Sequence, residues 1–307
     1  MPSTKQATKN SLVFFGTGQT SLDSLKGLNS EFSIELVITK PPAKNSAGKE
    51  FLNPVHTWAQ QNNLQIITPA SKSELQSELG ARKLNSKLAV VLDYGMIIPK
   101  SVIDMFPLGI LNSHFSLLPK YRGANPIRAA ILSGDKTTGI TIIKITPQLD
   151  DGPILTWALV DTNDDDAPSL RARLSDVNCP LLCETIRLYL SAQLDAVAQD
   201  ESEASYTHKT TKEDGLIDPQ KSAAQLEREV RAYAVWPKSY LIYNGKPLII
   251  IEAKDSSVPV KSDQFEVVDG NLHYGCKNGS LVIKMLQPAG KAVMDYKAFI
   301  NGYLNSL

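Results

Sequence analysis

Residues 12–18, LVFFGTG, join a continuous apolar run to a tight glycine turn. A short run of this kind is typical of a strand that is buried on both faces of a parallel sheet. Helical patterns, two of them over residues 53–62 and 71–79, alternate with further apolar runs that we predict to be strands. These runs cover residues 32–39, 66–67, 88–92 and 108–112. The alternation predicts an α/β fold with a doubly wound, mostly parallel, Rossmann-like sheet.

The glycine turn itself is a weak functional signal. GTGQTS, residues 16–21, has the first two glycines of the dinucleotide-binding pattern GxGxxG but carries Ser21 at the third position. Short patterns of this kind match by chance. We therefore interpret the turn as chain geometry.

The pattern of the chain changes after residue 137. Two β-rich runs, residues 138–146 and 153–160, predict a hairpin, and a helix with its continuation is predicted to reach about residue 198. Residues 200–206 are polar and small, as in a linker between domains. We predict a larger domain over residues 1–203 and a smaller one over residues 204–307.

The smaller domain is predicted to hold one helix and several short strands. An amphipathic helix over residues 222–234 begins at Ser222 and stops before Pro237. Asn244-Gly245 is a strong hairpin signal. The strands are predicted at residues 239–243, 248–254, 264–268, 272–276 and 281–286. Five short strands in so small a region suggest a barrel, of which the oligonucleotide-binding (OB) type is one possibility.

The composition of the chain limits its function classes. Of 307 residues, 42% are hydrophobic, and 32 basic residues balance 32 acidic ones, which argues against binding nucleic acid by bulk charge. No apolar run is long enough for a membrane helix, and from the polar residues 1–10, MPSTKQATKN, we expect no secretory signal. Three cysteines without a CxxC pair and four histidines without metal-ligand spacing predict a cytoplasmic protein without a metal site. We expect a monomer.

The candidate active site lies in NSHFSLLPKYRGANP, residues 112–126. Asn112 and His114 stand at the end of a predicted strand, where open α/β sheets place their sites. Asp150 lies in the turn QLDDG, residues 148–152. Each residue alone has an ordinary interpretation, as a cap, a structural histidine and a turn former. Together, an amide, an imidazole and a carboxylate at the edge of one sheet suit acyl transfer.

These residues resemble a known family. NSHFSLLPKYRGANP resembles the signature of the formyltransferases that use 10-formyltetrahydrofolate, whose core reads Asn-x-His-x-Ser-Leu-Leu-Pro, and LDDG resembles the family's Leu-Asp-x-Gly. KYRGANPI, RAYAVWP and LQPAGK, which begin at residues 120, 231 and 286, resemble the methionyl-tRNA formyltransferases. The resemblance runs from about Leu12 to the C-terminus. It implies formyl transfer from 10-formyltetrahydrofolate to the amine of methionyl initiator tRNA.

The resemblance also implies roles for individual residues. Asn112 would donate to the developing oxyanion, and His114, held charged by Asp150, would be a second donor and protonate N10 of the folate. Asp150 would draw the proton from the amine, through water. The implied folate site comprises Ser116, Leu117, Leu118, Pro119, Val91, Leu92, Tyr94, Gly95 and Ile97. Asp93 stands where the family usually has a small residue, and Phe115 where it usually has glycine or proline. We therefore expect both to reshape this pocket.

The amine acceptor is suggested by the loop over residues 40–49. It carries Lys40, Lys44 and Lys49, and in the tRNA-formylating members a basic loop at this place reaches the acceptor stem. On composition alone it could equally be a solvated loop. The smaller domain is expected to touch the tRNA backbone through the placement of its charges, because its basic residues barely outnumber the acidic ones.

Other functions remain open at this point. An amino-sugar-nucleotide formyltransferase would share Asn112, His114 and Asp150 but would lack the Trp-Pro and Gln-Pro-Ala-Gly segments. A non-catalytic folate- or RNA-binding module would have lost part of the trio, which is complete in this sequence. A folate hydrolase would leave the second domain without a role.

Overall fold

The computed structural model describes residues 9–44 and 48–304. The chain divides into two compact units. The first comprises Met1–Gly123, Gly139–Val160 and Arg173–Tyr206, and the second comprises Ala124–Thr138, Asp161–Ala172 and Thr207–Leu307. The predicted boundary after residue 203 stays a prediction.

A seven-stranded sheet forms the centre of the first unit. The strands in this part of the chain are β1 (Ser11–Gly16), β2 (Ser33–Ile38), β3 (Ala43–Lys44), β4 (Glu50–Phe51), β5 (Ile66–Ile67), β6 (Leu88–Leu92), β7 (Gly109–His114), β8 (Thr137–Lys144) and β9 (Ile154–Asp161). The order in the sheet is β5-β2-β1-β6-β7-β8-β9. The pairs from β5 to β7 are parallel, whereas β8 runs antiparallel to β7. The predicted α/β fold with a mostly parallel sheet is confirmed.

Helices cover both faces of this sheet. They are α1 (Gln19–Glu31), α2 (Pro54–Gln61), α3 (Lys72–Gly80), α4 (Lys100–Ile103) and α6 (Ala167–Leu190), whereas α5 (Pro126–Ser133) belongs to the second unit. Along β1, Leu12 and Phe14 join a core cluster with α1, α2 and α6, and Val13 and Phe15 join another with α3 and α4. Successive side chains of a strand point to opposite faces, so this apolar run is buried on both sides.

Side-chain caps account for two of the predicted helix starts. Asn53 accepts a hydrogen bond of 2.9 Å from the backbone nitrogen of His56, and Pro54 occupies the first turn of α2. Ser71 accepts one of 3.1 Å from the nitrogen of Glu74 in α3. Both helices lie within one residue of their predicted bounds.

The second unit contains an antiparallel sheet. Its elements after Thr207 are α7 (Ala223–Ala232), β10 (Ser239–Tyr243), β11 (Lys246–Ser256), β12 (Phe265–Val268), β13 (Asn271–Gly275), β14 (Ser280–Pro288), β15 (Met294–Asp295) and α8 (Tyr296–Phe299). The order is β10-β11-β14-β13-β12, with β15 paired to β14. All five predicted strands are present. Asn244 and Gly245 join β10 to β11 with φ of 48° and 72°, as a type I′ turn requires.

Three parts of the chain differ from the sequence predictions. Helix α6 ends at Leu190 and not near residue 198; Ala192 follows it with φ of 53°. Helix α5, which begins with Pro126, was not predicted. Residues 200–206, predicted as a linker, belong to the first unit, where Arg122 and Ser205 bond to each other through their backbones at 2.8 Å. Among the described residues, no helix is both long and apolar enough to cross a membrane.

Candidate functional site

The three predicted catalytic residues lie together at the carboxyl edge of the sheet. Asn112 and His114 lie at the carboxyl end of strand β7, and Asp150 is in the turn between β8 and β9. Asn112 Nδ2 donates a hydrogen bond of 3.3 Å to Asp150 Oδ1, and His114 Nδ1 lies 3.5 Å from Asp150 Oδ2. An amide, an imidazole and a carboxylate are thus within reach of one another.

The loop after β7 holds both ionisable members of this trio. His114 Nε2 lies 2.9 Å from the carbonyl oxygen of Tyr121, and the backbone N–H of Gly123 donates to Asp150 Oδ2 at 2.9 Å. A carbonyl only accepts, so Nε2 carries the proton of the neutral ring and Nδ1 faces the carboxylate. A second proton on Nδ1 would therefore form an ion pair with Asp150. The His114 side chain is 7% exposed and that of Asp150 15%, so water screens such a pair only weakly.

The predicted folate loop, residues 116–119, is anchored at its ends. Ser116 is fully buried and its hydroxyl donates to the carbonyl oxygen of Lys120 at 2.6 Å. Thr141 Oγ1 donates to the oxygen of Ser116 at 2.7 Å and accepts from the nitrogen of Leu118 at 3.0 Å. Thr141 pairs with His114 in the register of β7 and β8, so one side chain fixes the loop beside the trio. Sequence reasoning missed Thr141, whose β-branched strand offered no sign of this role.

The other predicted folate residues follow strand β6. Val91 pairs with Asn112 across the sheet, and Leu92 follows it at the carboxyl edge. The Tyr94 side chain is 2% exposed and lies in the core, with its ring 5.5 Å from that of Phe15. Burial, and secondarily the charge of Glu78, raises the pKa of Tyr94 to about 12. Tyr94 can therefore offer a ligand its backbone, whereas its phenol lies away from the edge.

Gly95 and Ile97 are exposed on the same loop. Ile97 is 62% exposed, and Gly95 has φ of 71°, in the left-handed region that favours glycine. The Lys40 ammonium lies so close to Gly95 that an added Cβ would collide with it. One lysine of the predicted tRNA loop thus lies beside a residue of the predicted folate loop.

The three predicted tRNA-binding lysines are exposed. Lys44 belongs to the β3–β4 ribbon and lies 3.4 Å from Glu50, with both side chains more than 60% exposed. Lys49 precedes β4. The middle of this loop, residues 45–47, lies outside the described residues. An exposed ribbon that carries lysines is compatible with a contact to a phosphate backbone.

Two residues that depart from the family pattern pack near this edge. Asp93 has φ of 47°, and its carboxylate lies 2.6 Å from the position that a Cβ on Gly18 would occupy. Only glycine at position 18 lets the Asp93 carboxylate approach the turn this closely. This fits the interpretation of the glycine turn as chain geometry. Phe115 is 7% exposed.

A second group of polar residues is centred on Arg122, in the loop after β7. Arg122 is 1% exposed, and its guanidinium contacts Gln199, Glu201 and Tyr206. The hydrogen bond to Glu201 raises the pKa of Arg122. Sequence reasoning missed these contacts, because a loop arginine and a polar segment some eighty residues later in the chain carry no local sign of pairing. Within the described ranges, no group of three or more His, Cys, Asp and Glu side chains could hold a metal ion.

Comparison with known proteins places the chain in a family. The sequence model described as formyl transferase matches residues 9–186, and the model of the formyl transferase C-terminal domain matches residues 209–304. The chain belongs to the formyl transferase family. Family membership gives the trio at the sheet edge a chemical context, since formyl transfer is an acyl transfer.

Full-length relatives of this family are similar over nearly the whole chain. A methionyl-tRNA formyltransferase of Coxiella burnetii is 36% identical over an alignment of 308 positions that covers 96% of each chain. Proteins of the same name from Dehalococcoides mccartyi, strain CBDB1, and Hydrogenovibrio crunogenus are 35% and 34% identical, with at least 92% of each chain covered.

Solved structures of other proteins share the fold. An N-formyltransferase from Helicobacter canadensis, in complex with folinic acid and dTDP-3-aminofucose, has a TM-score of 0.66 at 20% identity and covers 89% of this chain. HypX from Aquifex aeolicus, in complex with tetrahydrofolic acid, has a TM-score of 0.66 at 15% identity. This chain spans about half of HypX, 48% of its length. At these identities the likeness concerns the fold alone.

Proposed function

We propose that this enzyme transfers the formyl group of 10-formyltetrahydrofolate to the α-amine of methionine on initiator tRNA. The observation that carries the proposal is the convergence of Asn112, His114 and Asp150 at one sheet edge. The acceptor is supported by 34–36% identity to proteins named methionyl-tRNA formyltransferase over almost the full chain. The product would be formylmethionyl-tRNA, which serves initiation of protein synthesis in the cytoplasm.

Asn112 is proposed to stabilise the charge that develops during the reaction. The amine attacks the formyl carbon, a C–N bond forms and the formyl oxygen gains negative charge. Asn112 Nδ2 is a preorganised donor on a strand, at a half-buried position where its interaction with an oxyanion is weakly screened. A donor of this kind typically contributes about 3–4 kcal/mol to the transition state.

Asp150 and His114 are proposed to move the protons. Asp150 takes the proton of the attacking nitrogen, through water, and His114 supplies one to N10 of the folate as the bond from N10 to the formyl carbon breaks. The 3.5 Å separation of His114 Nδ1 and Asp150 Oδ2 allows the proton to return from the carboxylic acid to the imidazole. His114 Nε2–H donates to the carbonyl oxygen of Tyr121, and Nδ1 faces Asp150. One of the two ring nitrogens therefore has to leave its present partner before it can donate to the folate.

The folate is proposed to bind between two loops of the same edge. One is the loop of residues 116–119, whose backbone Thr141 fixes, and the other follows β6 through Gly95 and Ile97. Half-buried Val91 and Leu117 and exposed Ile97 offer apolar surface to a flat ring, and the exposed backbone near Gly95 offers polar groups. Apolar walls with a few placed polar groups are typical of sites for such ligands.

The tRNA is proposed to contact Lys40, Lys44 and Lys49 and the antiparallel sheet of the second unit. Lysine ammonium groups recognise phosphates as point charges and release bound counterions. Lys40 lies against Gly95 of the proposed folate loop, so this lysine-bearing segment begins beside the proposed folate site. This arrangement supports a long anionic acceptor that reaches the edge from outside.

A direct assay tests the proposal. The purified chain is given 10-formyltetrahydrofolate with either methionyl initiator tRNA or a nucleotide-linked amino sugar, and both the formylated product and tetrahydrofolate are quantified. We expect one tetrahydrofolate for each formylmethionyl-tRNA and little transfer to the sugar. Preferential formylation of the sugar would replace the proposed acceptor. Release of free formate without a formylated acceptor would indicate a hydrolase.

A further inference from the structure

Gln199 holds the turn that carries Asp150. Its Nε2 donates to the carbonyl oxygen of Asp150 at 2.8 Å and to that of Gly152 at 2.7 Å. Both amide hydrogens of the side chain are therefore used on one turn. Gln199 lies after helix α6 and just before the segment predicted as a linker, and it touches none of the reacting groups directly.

Arg122 fixes the orientation of the Gln199 amide. Gln199 Oε1 accepts from Arg122 Nε at 3.1 Å and from Nη2 at 2.8 Å. A guanidinium only donates, and the carbonyls of Asp150 and Gly152 only accept. The amide therefore has one orientation, with its oxygen towards Arg122 and its nitrogen towards the turn.

Arg122 is itself held by the segment from Gln199 to Tyr206. Its Nη1 and Nη2 donate to the two carboxylate oxygens of Glu201 at 3.0 and 2.7 Å, and Nη1 also donates to the Tyr206 hydroxyl at 3.1 Å. The Tyr206 ring lies 5.7 Å from the guanidinium carbon. A bidentate pair of this kind fixes the plane of a guanidinium. Arg122 is buried, so its position leaves little room for alternatives.

The same loop touches the catalytic groups through its backbone. Tyr121 accepts from His114, and Gly123 donates to the Asp150 carboxylate. The side chain of Arg122, which stands between them, reaches the backbone of Asp150 through Gln199. Asp150 has φ of 50°, a conformation that a residue with a side chain rarely adopts unless its surroundings impose it.

We propose that Gln199, oriented by Arg122, is a positioning residue that imposes the reactive placement of the Asp150 carboxylate. The inference rests on the proposed function for its kinetic meaning. It adds a second support to Asp150, on the backbone, beside the one that Gly123 gives to the carboxylate. A displacement of about 1 Å at a catalytic group can cost about 10²-fold in rate.

Two variants of Gln199 distinguish the hydrogen bonds that it donates to the Asp150 turn from those that it accepts from Arg122. Gln199→Met keeps the approximate volume and removes all four hydrogen bonds. Gln199→Glu keeps an acceptor for Arg122 but places an oxygen against the carbonyls of Asp150 and Gly152. Gln193→Met is the control, because Gln193 is exposed in the same unit. We expect both Gln199 variants to lower kcat about 10- to 100-fold with little change in KM for either substrate, and the control to be neutral.

A double-mutant cycle tells positioning from mere support of the fold. If Gln199 acts through Asp150, adding Gln199→Met to Asp150→Asn costs no further activity. A purely structural role would lower kcat by the same factor in both backgrounds, and that result would overturn the inference. An unchanged kcat for Gln199→Met in an otherwise active enzyme would also overturn it while leaving the proposed function intact.

An activity-independent measurement covers the case of a wrong acceptor. Asp150 lies beside His114, so moving its turn should shift the ring ¹⁵N resonances of His114 in Gln199→Met and not in Gln193→Met. If the unaltered chain does not formylate methionyl-tRNA, the proposed function fails, and these resonances still decide the role of Gln199. Unmoved resonances would overturn the positioning role whatever the substrate.

Discussion

The backbone N–H of Gly123 donates to the same oxygen of Asp150, Oδ2, that faces Nδ1 of His114. One carboxylate oxygen is thus held by a fixed dipole and directed at the imidazole. The other, Oδ1, accepts from Asn112. The carboxylate therefore ties the three groups into one geometry before any substrate binds, and preorganisation of this kind is a main source of catalytic rate.

Loss of any member of the trio should lower turnover without unfolding the chain. We expect Asn112→Ala, His114→Ala and Asp150→Asn each to lower kcat by about 10²-fold or more, because each group acts mainly in the transition state. Formylation kinetics and far-ultraviolet circular dichroism measure rate and fold. Asp104→Asn is the control, since Asp104 makes an exposed pair with Lys100. Near-normal turnover of His114→Ala would rule out the proposed proton transfer.

A methyl group at Gly152 should disturb the Asp150 turn. A Cβ on Gly152 would overlap the carbonyl oxygen of Lys144, whereas one on Gly80, at the end of α3, would meet nothing within 4 Å. We expect Gly152→Ala to lower kcat about 10-fold or more, since the backbone on either side of the clash has to move. Gly80→Ala should leave kinetics unchanged. Equal activity of the two variants would show that the turn tolerates displacement.

The phenol of Tyr94 should be dispensable for folate binding. Its oxygen is buried without a hydrogen-bond partner among the described residues, and a buried unpaired polar group costs about 1–3 kcal/mol. We expect Tyr94→Phe to keep the folate affinity and to raise the free energy of unfolding. Tyr274→Phe should lower it, because that hydroxyl donates to Asp263 at 2.7 Å. A weakened folate titration for Tyr94→Phe would place the phenol in the ligand site.

Local features of the fold were predictable from the sequence, and the support of the site was not. Asn53, Ser71 and Asn244-Gly245 act on residues within a few positions, so their patterns are visible in the chain. Arg122 and Gln199 are 77 positions apart, and only the folded sheet brings them together. The trio was predicted because its motif resembles that of a family. The burial of the Tyr94 side chain depends on where the loop after β6 turns, which no periodicity records.

The contact of Glu201 with Arg122 should make stability depend on pH. The hydrogen bond from Arg122 lowers the pKa of Glu201 below its ordinary value of 4.5. The stabilisation is therefore fully present above a pH of about 4.5, the pKa of Glu201 in the unfolded chain, and is lost as the pH falls through the lower pKa of the folded state. We expect Glu201→Gln to be less stable than the unaltered chain near pH 7, with a difference that shrinks in acid. Urea unfolding at a series of pH values measures it.

The matched control for this pair is Glu203→Gln. Glu203 is exposed in the same short segment, and its replacement changes the net charge by the same amount. A pH-dependent loss shared by both variants would assign the effect to net charge rather than to the ion pair with Arg122.

Removing the basic ribbon should weaken tRNA binding and leave folate binding alone. Replacing Lys40, Lys44 and Lys49 together by alanine removes up to three phosphate contacts, and each should flatten the salt dependence by about 0.7–0.9 log units of slope. The control replaces Lys26, Lys83 and Lys87, which are also exposed and lie on α1 and before β6. Affinity for tRNA is measured across a salt series beside a folate titration. If both triple variants lose the same affinity and slope, the effect is bulk charge. If neither loses any, the lysine ribbon does not bind tRNA.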